Sequence, residues 1–417
     1  MKSVIFIISF SPAYKEWGDK PRPWPNWTTP NGGWVGIPAL DWGDILLRAL
    51  ASHAPDYRCE VWQPDLRADK VYRAEFGDNF SHSNFPAVMI KRMKLGQFRE
   101  EIYSDKLLQS VMKLDSPDTV FMLPVSRHTH WMRRINSAVK LGKILHYNFL
   151  NSSLMLPVRY GGKSITKAIG TFMANRIKSA WMYRVKNLLT MKDSPQALAT
   201  FQALYPALRI FYFMWGYDLD YWKPVLGKKA ARKDLGLPQA GFVIVLSQRL
   251  SPEYQVDRVI EALSKLKERY SFSCYITGHG LNEYEQYLHE YTARLGMAKR
   301  VHFVGFVDDE TLRKYFESAD LFINLPVNSA GSASALKATM TGVPVLLIPT
   351  GALYEFLTSQ GAGEFVDPLD HDSWAIKISQ VLEGKIQILV PSREVLAEYF
   401  SWARNIRDVR NAIENAR

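Results

Sequence analysis

The chain has 417 residues, 47% of them hydrophobic and 22% charged, which excludes a disordered polymer and favours two domains over one overgrown core. Only two cysteines, Cys59 and Cys274, occur, far apart in sequence; they exclude a disulfide scaffold and a cysteine-built metal site and suit a reducing, cytoplasmic compartment. Fifty-two basic residues against 41 acidic ones leave a net charge of +11, which favours a phosphorylated ligand, an anionic lipid or a nucleic acid without choosing among them.

The chain opens on an apolar run, Val4 to Ile8, that reads as a first buried strand rather than a signal peptide, since no small-residue cleavage site follows it. A loop rich in Pro, Trp, Asn and Gly covers 11–39, and DWGDILLRALASHA then reads as a helix. Short apolar strands at 59–62, 118–123 and 143–149 alternate with helical patterns, which predicts a parallel sheet covered on both faces. A long, basic, mostly helical stretch follows at 163–193 and a short helix at 197–207.

The second half restarts at GLPQAGFVIVLSQRL, where Gly236, Pro238 and Gly241 punctuate a linker. Helices at 256–269, 284–296, 309–318 and 333–341 then alternate with the strands SCYITG, VHFVGF, DLFINL and VPVLLIP, the pattern of a doubly wound α/β domain. Domains at 1–205 and 206–385 are expected, with a helical tail at 386–417 that could pack on the first. No 18 apolar residues run together, so no spanning helix is expected.

Ligands of open α/β sheets sit outside the carboxyl ends of the strands, so the loops there are the places to search. The glycines of TPNGGWVG (Gly32, Gly33, Gly36) could let backbone N–H groups approach an anion, or could simply make a turn. His146, in KILHYNF, could contact a sugar hydroxyl or be structural. His128 and His130 fall short of the three ligands of a catalytic zinc, and no metal is expected. Arg249 directly follows the strand FVIVL, where a guanidinium can clamp a diphosphate or pair with a surface carboxylate. Gly278 and Gly280 in ITGHG leave room for backbone contact. The small-residue run NSAGSASALKATMTG, with Gly331 and Ser332, enters a helix whose free N–H groups suit a phosphate. Glu355 either faces the ligand or stands exposed near a helix start.

Together, SQRL with VDRVIEALSKL, YITGHG, VHFVGFVDDETLRKYFESADLFINLP, ATMTGVPVLLIPTGALYEFL and GAGEFVDPLD resemble the second domain of the family-4 retaining glycosyltransferases of the two-Rossmann, GT-B type. NGGWVG and GYDLDYWKP resemble the family's N-terminal glycine loop and the turn closing its first half. The resemblance implies transfer of a sugar from a nucleotide-sugar donor with retention, by front-side displacement, without metal or cofactor. It matches Arg249 to the diphosphate-binding arginine, His146 to the first-domain histidine near the donor sugar, and Gly32 with Gly33 to the loop near its phosphate. Tyr254 stands where a lysine is usual. Aligned on Gly342, Ser329 and Lys337 replace the family's two carboxylates. The second of these would accept ribose hydroxyls, and lysine has no acceptor.

Either Lys337 supplies the phosphate charge missing at Tyr254, or the domain no longer transfers sugar. In the first case Arg249, Lys337 and the backbone at 330–333 would stabilise the departing diphosphate, and His146 would orient a donor hydroxyl. The expected acceptor is a glycan, lipid-linked saccharide or glycolipid. A non-catalytic, sugar- or partner-binding subunit and a transferase acting on nucleic acid or protein are the alternatives; no nucleic-acid motif accompanies the charge. The stretch 173–187, with Arg176, Arg184 and Lys186 among apolar residues, suits either an anionic membrane surface or a domain surface, as does VMIKRMKLGQFR at 88–99.

Overall fold

The computed structural model describes residues 2–8, 42–66, 68–94, 97–125, 130–148, 185–191, 199, 202–280, 282–326 and 333–416. Two compact units emerge: the described residues up to Gly216 together with those from Trp402 onward, and Tyr217–Ser401. Each is built on one mostly parallel sheet flanked by helices, the doubly wound α/β class that the alternation of apolar runs predicts.

In the first unit β1 (Lys2–Ile7) is central, pairing with β2 (Tyr57–Asp65) on one side and β7 (Thr119–Pro124) on the other. Beyond β2 lie β4 (Phe80–Pro86) and β3 (Tyr72–Glu75); beyond β7 lie β8 (Lys143–Asn148), β9 (Asn187–Met191) and β10 (Arg209–Phe213). Every pairing is parallel except the β3 edge. A near-continuous apolar strand such as β1 needs cover on both faces. One face is covered by α2 (Asp105–Leu114) and α3 (His130–Ala138), whose Leu107, Val111 and Ile135 pack on Ile5, Ile7 and Phe121. Ser104 caps α2 by accepting from the Leu107 N–H at 3.3 Å. α1 (Trp42–His53) follows β1 in the chain and buries Leu46, Leu47 and Leu50.

One boundary differs from expectation. β10 is the edge strand of the first sheet, so the first unit runs past the expected limit at 205 to Gly216. The stretch 88–99, which suits either an anionic membrane surface or a domain surface, is built on two antiparallel strands, β5 (Val88–Lys94) and β6 (Gln97–Tyr103).

The second unit carries a six-stranded parallel sheet of β11 (Phe242–Ser247), β12 (Phe272–Thr277), β13 (Val301–Gly305), β14 (Leu321–Asn324), β15 (Val345–Leu347) and β16 (Glu364–Phe365). Its order is β13-β12-β11-β14-β15-β16, so the winding reverses between β11 and β14, the switch point at which such sheets leave a crevice beyond the strand ends.

The helices are α4 (Lys228–Asp234), α5 (Val256–Ser264), α6 (Asn282–Arg294), α7 (Asp309–Ser318), α8 (Ala333–Met340), α9 (Gly351–Ser359), α10 (His371–Leu382) and α11 (Arg393–Phe400). Ile260 and Leu263 of α5 and Trp374 and Ile378 of α10 share a core with Ile244, Leu246 and Ile323. The buried Glu317 carboxylate accepts the N–H groups of Val225, Leu226 and Gly227 at 2.9, 2.7 and 3.0 Å, fixing the approach to α4 on α7.

The last helix, α12 (Trp402–Glu414), counts with the first unit. It buries Ile406, Val409 and Ile413, and its Glu414 accepts the Tyr57 hydroxyl at 3.0 Å. Burial and this carboxylate together push the Tyr57 hydroxyl up to about 12. Cys59 and Cys274, one in each unit, are buried free thiols.

Candidate functional site

The switch point of the second sheet gathers the candidate residues. β11 ends at Ser247, and Gln248, Arg249 and Leu250 continue beside the loop after β12: the Gln248 N–H donates to Thr277 O at 3.2 Å and the Leu250 N–H to His279 O at 3.1 Å. Arg249, half-buried, is therefore held by backbone pairing on both sides. The two glycines opposite make this possible. A Cβ on Gly278, whose φ is +113°, would lie 2.1 Å from Gln248 O, and one on Gly280 would lie 1.6 Å from Leu250 O. The space we expected these glycines to leave for a ligand is filled by the main chain that carries Arg249.

After Ser251 the chain makes a tight turn, Pro252–Tyr254, and enters α5 through Gln255. The Tyr254 ring packs against the second core. Its hydroxyl is raised by burial and by Glu253 and lowered by Arg249, so the guanidinium acts electrostatically on the position where a lysine is usual. Gln255 is the one described non-glycine residue with positive φ, 52°, and is 5% exposed. Its amide donates to Leu325 O at 2.9 Å and Pro368 O at 3.1 Å, while its oxygen meets His371 Nε2 at 2.8 Å. The Gln248 amide similarly joins Tyr254 O, at 3.3 Å, to the side chain of Asn324 at the end of β14. Residue types alone did not single out Gln248, Gln255, Asn324 or His371. The signal available was a non-glycine residue entering a helix straight from a tight turn.

Lys337 lies in the second turn of α8. Its ammonium is 3.0 Å from Asp309 Oδ1, at the start of α7, and 4.3 Å from the centre of the Trp222 ring. The lysine that was to meet a phosphate already holds a carboxylate and an aromatic face. Glu355 is half-buried in α9, one turn past its start, rather than exposed.

In the first unit, His146 lies inside β8, between Leu123 and Leu188 on the neighbouring strands, and is 3% exposed. Burial lowers its pKa from 6.5 to about 4, so the imidazole is neutral at pH 7. It thus lies within the strand, two residues before its end, rather than in a loop beyond it. Gly32, Gly33, Gly36, His128, Ser329, Gly331, Ser332 and the basic stretch as far as residue 184 lie outside the described residues. Among the described residues no group of three His, Cys, Asp or Glu side chains could hold a metal ion, and no helix is long and apolar enough to cross a membrane.

Residues 227–400 match the family described as glycosyl transferases group 1. The match takes in the whole second sheet, with Arg249, Gln255 and Lys337. Among curated relatives, an uncharacterized glycosyltransferase of Methanocaldococcus jannaschii is 27% identical over 206 residues, 48% of this chain and 52% of the relative. The D-inositol 3-phosphate glycosyltransferase of Salinispora tropica is 29% identical over 210 residues, 46% of this chain and 43% of the relative. The chain spans about half the length of these curated relatives.

Over the full fold it is similar to Anabaena HepE, solved in complex with UDP, with a TM-score of 0.66 and 16% identity over 99% of this chain and 100% of that one. It is also similar to the sucrose-phosphate synthase of Thermosynechococcus elongatus, with a TM-score of 0.61 and 15% identity over 100% of this chain and 95% of that one. These likenesses establish the GT-B-type fold of two mostly parallel sheets with flanking helices.

Proposed function

We propose that this chain is a retaining glycosyltransferase of the family-4 type, taking a nucleotide-sugar donor at the carboxyl end of the second sheet. The observation that carries the reading is the position of Arg249, fixed between two backbone pairings beside the β11–β14 switch point, within the segment that matches the glycosyl transferases. There the guanidinium can meet charge as it develops on the departing diphosphate, without reorganising at the moment of reaction. HepE, solved with UDP, supports a nucleotide diphosphate as the donor's leaving group. The reading assigns no metal or cofactor. It takes a glycan, lipid-linked saccharide or glycolipid as acceptor, and an anionic membrane surface as the partner of the basic stretch at 173–187.

The pairing of Lys337 with Asp309 favours a second reading, in which the domain binds a sugar or partner without transfer. Hydrolysis and transfer measured across a panel of nucleotide-sugars decide between them. Turnover lost in Arg249→Ala supports the enzyme; donor binding without turnover on any member of the panel supports the binding subunit.

A further inference from the structure

We infer that Gln255 is a positioning residue for the nucleotide, setting the loop that carries Arg249 against the far side of the switch point; the inference rests on the donor reading above. Three observations lead there. The backbone of Gln255 is left-handed, a conformation L side chains with a Cβ rarely keep unless their surroundings impose it. The side chain is buried, and both ends of its amide are used. Its partners belong to neither the turn nor the helix it joins: Leu325 follows β14, Pro368 follows β16 and His371 is the first residue of α10.

One side chain thus ties the connection after β11 to those after β14 and β16. Because two carbonyls demand the NH2 end, the amide oxygen faces His371, whose Nε2 must then donate. Gln248 makes the parallel tie from the other flank of Arg249 to Asn324. A turn needing only a left-handed residue would be served by glycine at no steric cost. A glutamine here keeps the cost and gains three bonds to the loops around the proposed site.

The test uses the full chain. Wild type, Gln255→Gly, Gln255→Asn and His371→Phe are titrated calorimetrically with UDP, GDP and ADP, beside Ile378→Val, a core variant expected to lose stability without touching these loops. Glycine frees the backbone and asparagine tolerates it, but neither reaches the three partners. His371→Phe keeps a ring against Trp374 and deletes only the donor to Gln255. The inference expects both Gln255 variants to bind the preferred diphosphate about tenfold more weakly, His371→Phe to lose affinity in the same direction by less, and Ile378→Val to bind as wild type does. Affinities within about twofold of wild type in all three loop variants overturn the inference and leave the donor reading standing. A wild type that binds none of the diphosphates overturns the donor reading, and the inference with it.

Discussion

The Lys337 ammonium stands 3.0 Å from the Asp309 carboxylate and 4.3 Å from the centre of the Trp222 ring. The ammonium is thus already paired within the second unit. Lys337→Ala is therefore expected to change the affinities for a nucleoside diphosphate and for the bare nucleoside by the same factor. A double-mutant cycle with Asp309→Asn in urea unfolding should return a coupling of about 0.5–1 kcal/mol, as partly exposed pairs do. A loss confined to the diphosphate would restore the phosphate role that the sequence suggests for this lysine.

Arg249→Ala should behave differently. Its backbone is pinned by hydrogen bonds of the neighbouring residues that the substitution keeps, so the thermal midpoint should stay near that of wild type. Binding of the diphosphate should weaken by about 2 kcal/mol, the worth of a charge-assisted contact. Calorimetry and a melting curve on the same preparation check both halves.

Gly280 links the two effects. An added methyl group would sit 1.6 Å from Leu250 O, and neither backbone segment can yield without breaking the Leu250–His279 hydrogen bond. Gly280→Ala should cost at least about 2 kcal/mol of stability and, by displacing Arg249, also diphosphate affinity. Gly305 serves as the control. Unlike Gly280 it has a positive φ, +82°, and it meets nothing within 4 Å, so Gly305→Ala should lose stability through strain alone and keep its affinity.

His146 makes stability depend on pH. Its folded value, about 4, lies below the ordinary 6.5, so between those values the unfolded chain binds a proton that the folded chain refuses. The contribution is fully present above pH 6.5 and is lost as the pH falls towards 4, reaching roughly 3 kcal/mol. Urea unfolding of wild type at pH 7 and pH 5 should show this fall, and His146→Gln should lack that component of the slope.

Glu317 anchors the approach to α4 by accepting three backbone N–H groups from a buried position. Replacing it with alanine strands those donors, at a cost of about 3 kcal/mol, while Glu317→Gln keeps an acceptor and should cost less. Chemical denaturation of the two variants ranks them, and equal losses would contradict the anchoring role.

Central strands and amphipathic helices were legible in the sequence because local burial writes them. β1, β11 and β12 must be apolar on both faces, and the helix at 309–318 repeats its apolar residues at the helical period, so a few neighbouring letters suffice. The place of Arg249 was legible for the same reason, since it directly follows such a strand.

What tertiary structure decided has partners far away along the chain. β4, FSHSNFP, is polar yet buried, and reads as a strand only once Asn84 has Asp65 to donate to, at 2.8 Å. β10 joins the first sheet through pairing with β9, and α12 counts with the first unit through contacts such as Glu414 with Tyr57. Gly278 and Gly280 resemble a ligand-facing loop in the sequence, and only the main chain of 248–250 lying against them shows what their missing Cβ atoms admit. Lys337 and Gln255 acquire their partners the same way, from Asp309, Leu325, Pro368 and His371. Periodicity reports whether a side chain is buried, because burial depends on the local face; it does not report which distant donor, acceptor or charge lies opposite, because that is settled by how the strands are ordered.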